Sequence, residues 1–177
     1  YALQTILERM GHDVVILNRV SKQKKKRLDS LIDYIIFYLK FLIRKLINCP
    51  NGYSIVSYLV GKKTRLFIKE YLHSSPDFYT TEELKRFSVE QKIEAFIVGS
   101  DQVWRPSYSP CITNYYLDFV ENNSLKIAYA ASFGVDTWEY DESTTQICQN
   151  LIKKFDAVSV RESSGIELVK KYFNFEA

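Results

Sequence analysis

The chain has 177 residues, of which 46% are hydrophobic, 25% charged and 15% aromatic, the balance of a soluble globular protein with a core of its own. Its net charge of +3 is too mild to argue for nucleic acid. Cys49, Cys111 and Cys148 stand far apart without CxxC or Cys/His metal spacing, so they read as free thiols of a reducing compartment rather than a disulfide or zinc framework.

The chain opens on YALQTILERM, where Leu3, Ile6, Leu7 and Met10 fall at helical spacing and Gly11 supplies a stop. There is no initiator Met and no signal peptide, so the expectation is a fragment that begins in mid-helix and lacks a preceding strand. DVVILN, Asp13 to Asn18, is short, apolar and β-branched, the composition of a buried strand. A basic run from Lys22 to Arg27 then leads into a long helix that Pro50 and Gly52 terminate. Leu31, Ile35, Tyr38, Leu39, Leu42 and Leu46 share one side of it, while Asp33, Lys40, Arg44 and Lys45 keep it from being a membrane span. Two readings stay open for this basic helical insertion at 21–61: packing on the domain, which the residue pattern favours, or peripheral contact of 21–48 with an anionic membrane.

Lys62 to Leu72 reads as a further helix. SSPDFY reads as a loop, after which Thr80 or Thr81, followed by Glu82 and Glu83, starts another helix. Strands are then expected at AFIVGS, at LKIAYAASFG and at DAVSVRESSG, with helices at DESTTQICQNLIKKF and SSGIELVKKYF. Alternation of this kind predicts an α/β fold with a mostly parallel, doubly wound sheet.

Three of these strands run into small or polar residues: GSDQVW after Val98, ASFG after Ala130 and RESSG after Val160. In a parallel sheet the carboxyl ends of all strands share one edge, where ligands bind. Gly99 and Gly134 suit sharp turns, and Ser100, Ser132 and the N–H groups beginning at Ser163 can donate to an anion. Arg161 can grip a phosphate or carboxylate with two hydrogen bonds, and Asp101 and Gln102 can bond hydroxyls. Each has a plainer alternative. Asp101 can cap its turn, Trp104 can anchor packing, Arg161 can pair with Glu162, and Ser132-Phe133-Gly134 can be a simple strand exit. His12 and His73 belong to no metal-spaced set, and no nucleophile elbow, P-loop or complete dinucleotide fingerprint is present.

In the order FIVGSDQVW, YYLDF, KIAYAASFG and FDAVSVRESSGIELV, with YALQTILERMGHDVVILN before them, the chain from Tyr1 to about Val169 closely resembles the polysaccharide pyruvyl transferase family. The resemblance implies a Rossmann-like fold, a mostly parallel sheet with helices on both faces. It further implies the N-terminal half of a two-domain transferase of the GT-B type, so that 1–177 is one domain of a longer enzyme. Arg105 stands where relatives often carry Asn. The implied reaction moves pyruvate from phosphoenolpyruvate to a sugar, or a lipid-linked oligosaccharide, as a ketal in a bacterial surface polysaccharide of the cell envelope, such as capsule or exopolysaccharide. Gly99, Ser100, Asp101, Gln102, Trp104, Ser132, Phe133, Gly134, Arg161, Glu162 and Ser163 are the implied substrate-binding residues. No metal or cofactor is expected, the general acid/base is expected in the second domain, and the implied location is cytoplasmic, at most peripheral to the inner membrane. The alternatives are a nucleotide-sugar-dependent glycosyltransferase of the same architecture and a non-catalytic glycan-binding or membrane-associated domain.

Overall fold

The computed structural model describes residues 1–21, 31–47, 61–121 and 123–177. The chain forms two compact units, Tyr1–Asp77 and Phe78–Ala177.

In the first unit, α1 (Ala2–Arg9) ends as expected at Gly11, whose φ of 91° is the left-handed conformation glycine adopts without strain. The Gly11 N–H donates to Glu8 O and the His12 N–H to Leu7 O, so two terminal carbonyls are satisfied in a Schellman arrangement. β1 (Ile16–Arg19) is shorter than the expected strand and only partly buried. It pairs with β2 (Ser74–Phe78), a strand that the sequence disguises as a loop. Pro76 and its polar neighbours carry turn signals, but proline is tolerated in an edge strand. Ile16 N–H donates to His73 O at 2.7 Å, and the Asn18 side chain donates to Asp77 at 2.6 Å. Gln4 is the one buried residue among those described in this unit. Its amide nitrogen donates to Glu8 and to Tyr71 O, and its amide oxygen accepts from the His73 N–H.

The long helix is described as α2 (Leu31–Leu46); its expected start in the basic run and its stop at Pro50 and Gly52 lie outside the described residues. The side expected to pack on the domain is open: Ile35, Tyr38, Leu39, Leu42 and Leu46 are 52, 55, 54, 40 and 84% exposed. α3 (Lys62–Tyr71) follows the predicted bounds closely, and its Phe67 and Tyr71 gather with Tyr1 in edge-on and tilted ring contacts.

The second unit begins with α4 (Thr81–Glu90), held by the expected cap: Thr80 Oγ1 accepts from Glu83 N–H while the Glu83 carboxylate accepts from Thr80 N–H. β3 (Ala95–Gly99), β4 (Leu125–Ala131) and β5 (Ala157–Val160) form a parallel sheet in the order β3-β4-β5. The α/β, parallel prediction therefore holds. Ala95 faces Leu125, Val98 faces Ala128 and Gly99 faces Tyr129. Burial follows the strand period of two. Phe96, Val98, Lys126 and Ala128 are buried, whereas Ala95, Leu125 and Tyr129 are exposed. Continuous apolar runs suit strands buried on both faces, yet among the described residues Ala95, Leu125 and Tyr129 stay exposed on one of them.

Between β3 and β4 lie two short 3-10 turns, Pro106–Tyr108 and Ile112–Tyr116. α5 (Glu142–Ile152) starts at Asp141, whose carboxylate accepts from the Thr144 N–H, a bond that holds its pKa below the usual range. α6 (Ser163–Leu168) widens into a π turn over Val169–Phe173. The core of this unit is aromatic: Trp104 stacks on Tyr116 at 5.0 Å, Phe173 meets Tyr116 edge-on at 5.7 Å, and Phe133 leans on Trp104 at 5.4 Å.

Candidate functional site

Three chain segments leave the carboxyl edge of the β3-β4-β5 sheet, and hydrogen bonds sew them together. Gly99 ends β3 with φ 142°, beside the Tyr129 carbonyl of β4; a Cβ there would stand 2.1 Å from that oxygen. The close approach lets Ser100 N–H reach Tyr129 O at 2.9 Å. Next, Ser132 N–H donates to Asp101 O, and Trp104 N–H returns a bond to Ser132 O, each at 3.1 Å. β5 joins through Arg161 N–H, which donates to Ala131 O at 3.0 Å.

A β-bulge sets the angle of the middle segment. The β4–β5 register shifts between Ala128 and Ala131, with Ala130 at φ 50°. Ser159 of β5 braces the shift: its Oγ accepts from Ala130 N–H at 2.9 Å and donates to Ala128 O at 3.3 Å. The bulge delivers Ser132 into the buried centre of the cluster, with 0% exposure. There Ser132 Oγ accepts from Gly134 N–H at 2.9 Å and from Arg161 Nη2 at 3.1 Å, and donates to Glu162 Oε1 at 2.5 Å. A single hydroxyl thus ties the segment after β4 to the segment after β5.

Arg161 is oriented twice, by Ser132 and by Glu162 Oε2, which accepts from its Nε at 3.2 Å. The plainer alternative, a pair with Glu162, is realised, but it does not consume the guanidinium. The side chain remains 48% exposed, and Nη1 has no protein partner among the described residues. Asp101 is exposed, and its Oδ1 accepts the Gln102 N–H at 2.8 Å, so the capping role is filled while the carboxylate still faces outward. Gln102 lies against Gly134, whose φ is 71° and whose missing Cβ would sit 2.2 Å from Gln102 Oε1. Ser163 is exposed at the first position of α6.

Trp104 and Phe133 lie beneath these residues. Trp104 is 0% exposed, with its indole N–H donating to Tyr115 O at 3.1 Å and its carbonyl accepting from Tyr140 O–H at 2.6 Å. Tyr116 O–H in turn donates to the Tyr140 oxygen at 2.9 Å. Burial raises both phenol pKa values, Tyr116 well above its ordinary one. With no ring face open, Trp104 takes the anchoring role of the two the sequence offered, and buried Phe133 does the same.

Two contributors escaped the sequence reading. Ser159 carries no signal because its work depends on a register shift. Glu139 meets Arg105 through paired bonds of 3.3 Å, and Arg105 also lies 4.9 Å over the Tyr108 ring and 3.4 Å from Gln102 Oε1. The hydrogen bond from Arg105 to Glu139 raises the arginine pKa. Thirty-four residues separate the two partners, beyond any local pattern.

Among the described residues, no three His, Cys, Asp or Glu side chains gather as a metal site, and no helix is long and apolar enough to cross a membrane. Comparison with curated proteins and with solved structures finds no significant match. The family model for polysaccharide pyruvyl transferase matches residues 1–176. With its motifs in family order and nearly every residue inside that match, the chain belongs to the polysaccharide pyruvyl transferase family.

Proposed function

We propose that the cluster at the carboxyl edge of β3-β4-β5 binds phosphoenolpyruvate, and that the enzyme transfers its pyruvyl unit to a sugar of a surface polysaccharide as a ketal. In this reaction the methylene carbon takes a proton and a first sugar hydroxyl bonds to the adjacent carbon. Phosphate departs with cleavage of its C–O bond, and a second hydroxyl closes the ketal. Of the two hydroxyl protons released, one is balanced by the new methyl group and the other by the departing phosphate. The donor carries phosphate and carboxylate charge throughout, so a fixed arginine suits it.

The observation that carries the reading is the half-exposed guanidinium of Arg161, aimed by Ser132 and Glu162 and still holding donors for an anion. Family membership supports the reaction class. Asp101 and Gln102, on the neighbouring segment, supply groups able to bond sugar hydroxyls. No residue of the cluster is assigned the proton transfer, which the family resemblance leaves to another part of the enzyme.

The test is phosphate release from phosphoenolpyruvate in the presence of acceptor, measured on the intact enzyme. Arg161→Ala is expected to lower kcat/KM about tenfold to a hundredfold, the cost of losing a charged hydrogen-bonding partner. Arg161→Lys restores only part of it, because an ammonium cannot reproduce a two-pronged grip. Wild-type release by Arg161→Ala would remove it from the donor site, and a loss of release that only follows a lowered unfolding transition would make it a structural residue. Transfer from a nucleotide-sugar instead would favour the glycosyltransferase alternative.

A further inference from the structure

Helix α2 leaves a contiguous row of large apolar side chains uncovered. At about 100° per residue, Ile35, Ile36, Leu39, Leu42, Ile43 and Leu46 share an arc of about 120°. All six are at least 40% exposed. Lys40 flanks the arc on one side, and Tyr38 and Lys45 flank it on the other. The helix has 16 residues, about 24 Å at its rise per residue, which is short of a bilayer core. An apolar arc bounded by cations and an aromatic residue is built to lie in a membrane interface rather than to cross it.

Charge identifies the surface. From Lys22 to Lys45 the sequence has eight basic and two acidic residues, a net charge of +6, whereas the whole chain carries only +3. The remainder is therefore net acidic, and the positive charge is concentrated on and just before the exposed helix. A second copy of the chain would bring two such segments together against their own repulsion. A negatively charged bilayer answers both the apolar arc and its cations. We propose that α2 docks this protein on an anionic lipid surface, lying in the headgroup plane with Leu39 and Leu42 at the centre of its buried side.

The test is flotation of the intact protein with phosphatidylcholine vesicles, with and without phosphatidylglycerol. Binding is expected only with the anionic lipid and is expected to fall as salt rises. Leu39→Glu combined with Leu42→Glu is expected to reduce bound protein roughly tenfold or more, and Lys40→Glu with Lys45→Glu to act in the same direction. Far-UV circular dichroism checks that the helical content of each variant is kept, and emission from Trp104 and Trp138 that the Phe78–Ala177 unit is folded. A Tyr38→Trp variant adds a reporter whose emission shifts to the blue on docking. Absence of flotation, equal flotation on neutral vesicles, or unchanged binding by the double leucine variant would each overturn the proposal. So would a wild-type oligomer that the leucine substitutions dissociate without any lipid binding, which would make the face a protein interface.

Discussion

Two glycines at the carboxyl edge of the β3-β4-β5 sheet look alike in sequence and differ in what their missing side chains would meet. A Cβ on Gly99 would collide with the backbone carbonyl of Tyr129, an atom fixed by the β3–β4 ladder. A Cβ on Gly134 would meet the Gln102 side chain from Cγ to Oε1, which can move more readily than a ladder carbonyl. Both residues also have positive φ, at 142° and 71°, and only the latter lies near a region an alanine can occupy. Gly134→Ala is therefore expected to cost about 1–2 kcal/mol, the ordinary penalty of a left-handed alanine. Gly99→Ala has to break the close approach of two strands and is expected to cost about 3 kcal/mol or more. Urea unfolding of the two variants measures the difference. Equal costs would mean that the β3 exit can relax, and that the tight approach to Tyr129 does not fix the loop carrying Asp101 and Gln102.

At the scale of elements, the loops after β3 and β4 are held from below by the Trp104 anchor. Its indole stacks on Tyr116, and its backbone and ring polar groups are bonded to Ser132, Tyr115 and Tyr140. Trp104→Ala is expected to cost about 3–5 kcal/mol, the range for emptying a large aromatic site. Trp104→Phe keeps most of the apolar volume but leaves Tyr115 O without its indole donor, at about 1–3 kcal/mol. If chemical denaturation finds the two substitutions equivalent, the indole hydrogen bond rather than the ring stack fixes the loop. This dependence also explains which parts of the molecule were legible in sequence. β3, β4, β5 and the helices after them could be read because hydrophobic runs, Asp141 and the Thr80–Glu83 cap are local signals. The convergence of Gly99, Ser132 and Arg161 followed from parallel topology alone. β2 was missed because Pro76 and polar residues mimic a turn, and Ser159 because the bulge it braces arises only from pairing. The exposure of α2 was hidden because an amphipathic helix has the same sequence pattern whether a core or another surface covers it.

For the molecule as a whole, three buried acids of the Phe78–Ala177 unit are kept from charging, while the buried Lys126 amine, whose pKa burial lowers, acts on alkaline stability with the opposite sign. Cys148 has no exposed surface, and burial pushes its thiol from 9.0 up to about 12. Burial raises the Tyr116 and Tyr140 phenols as well. An acid whose folded pKa is raised holds its proton longer in the native state than in the unfolded one. Between the two pKa values the native state therefore binds more protons, and stability falls as pH rises. For Cys148 that window runs from about 9 to about 12. The two tyrosines extend the loss above their ordinary value of 10.0. Stability set by these groups should be flat through neutral pH and decline beyond pH 9, by on the order of 2–3 kcal/mol from Cys148 alone at about pH 11. Both tryptophans of the chain, Trp104 and Trp138, lie in this unit, so urea melts followed by their emission report on it. The midpoint is expected to move steadily to lower urea above pH 9, and Cys148→Ala to shrink that pH slope even where it lowers stability at pH 7. A midpoint that holds constant to pH 11, or a slope unchanged by Cys148→Ala, would mean that water reaches the thiol and the phenols, and that the aromatic core beneath the site is looser than its packing indicates.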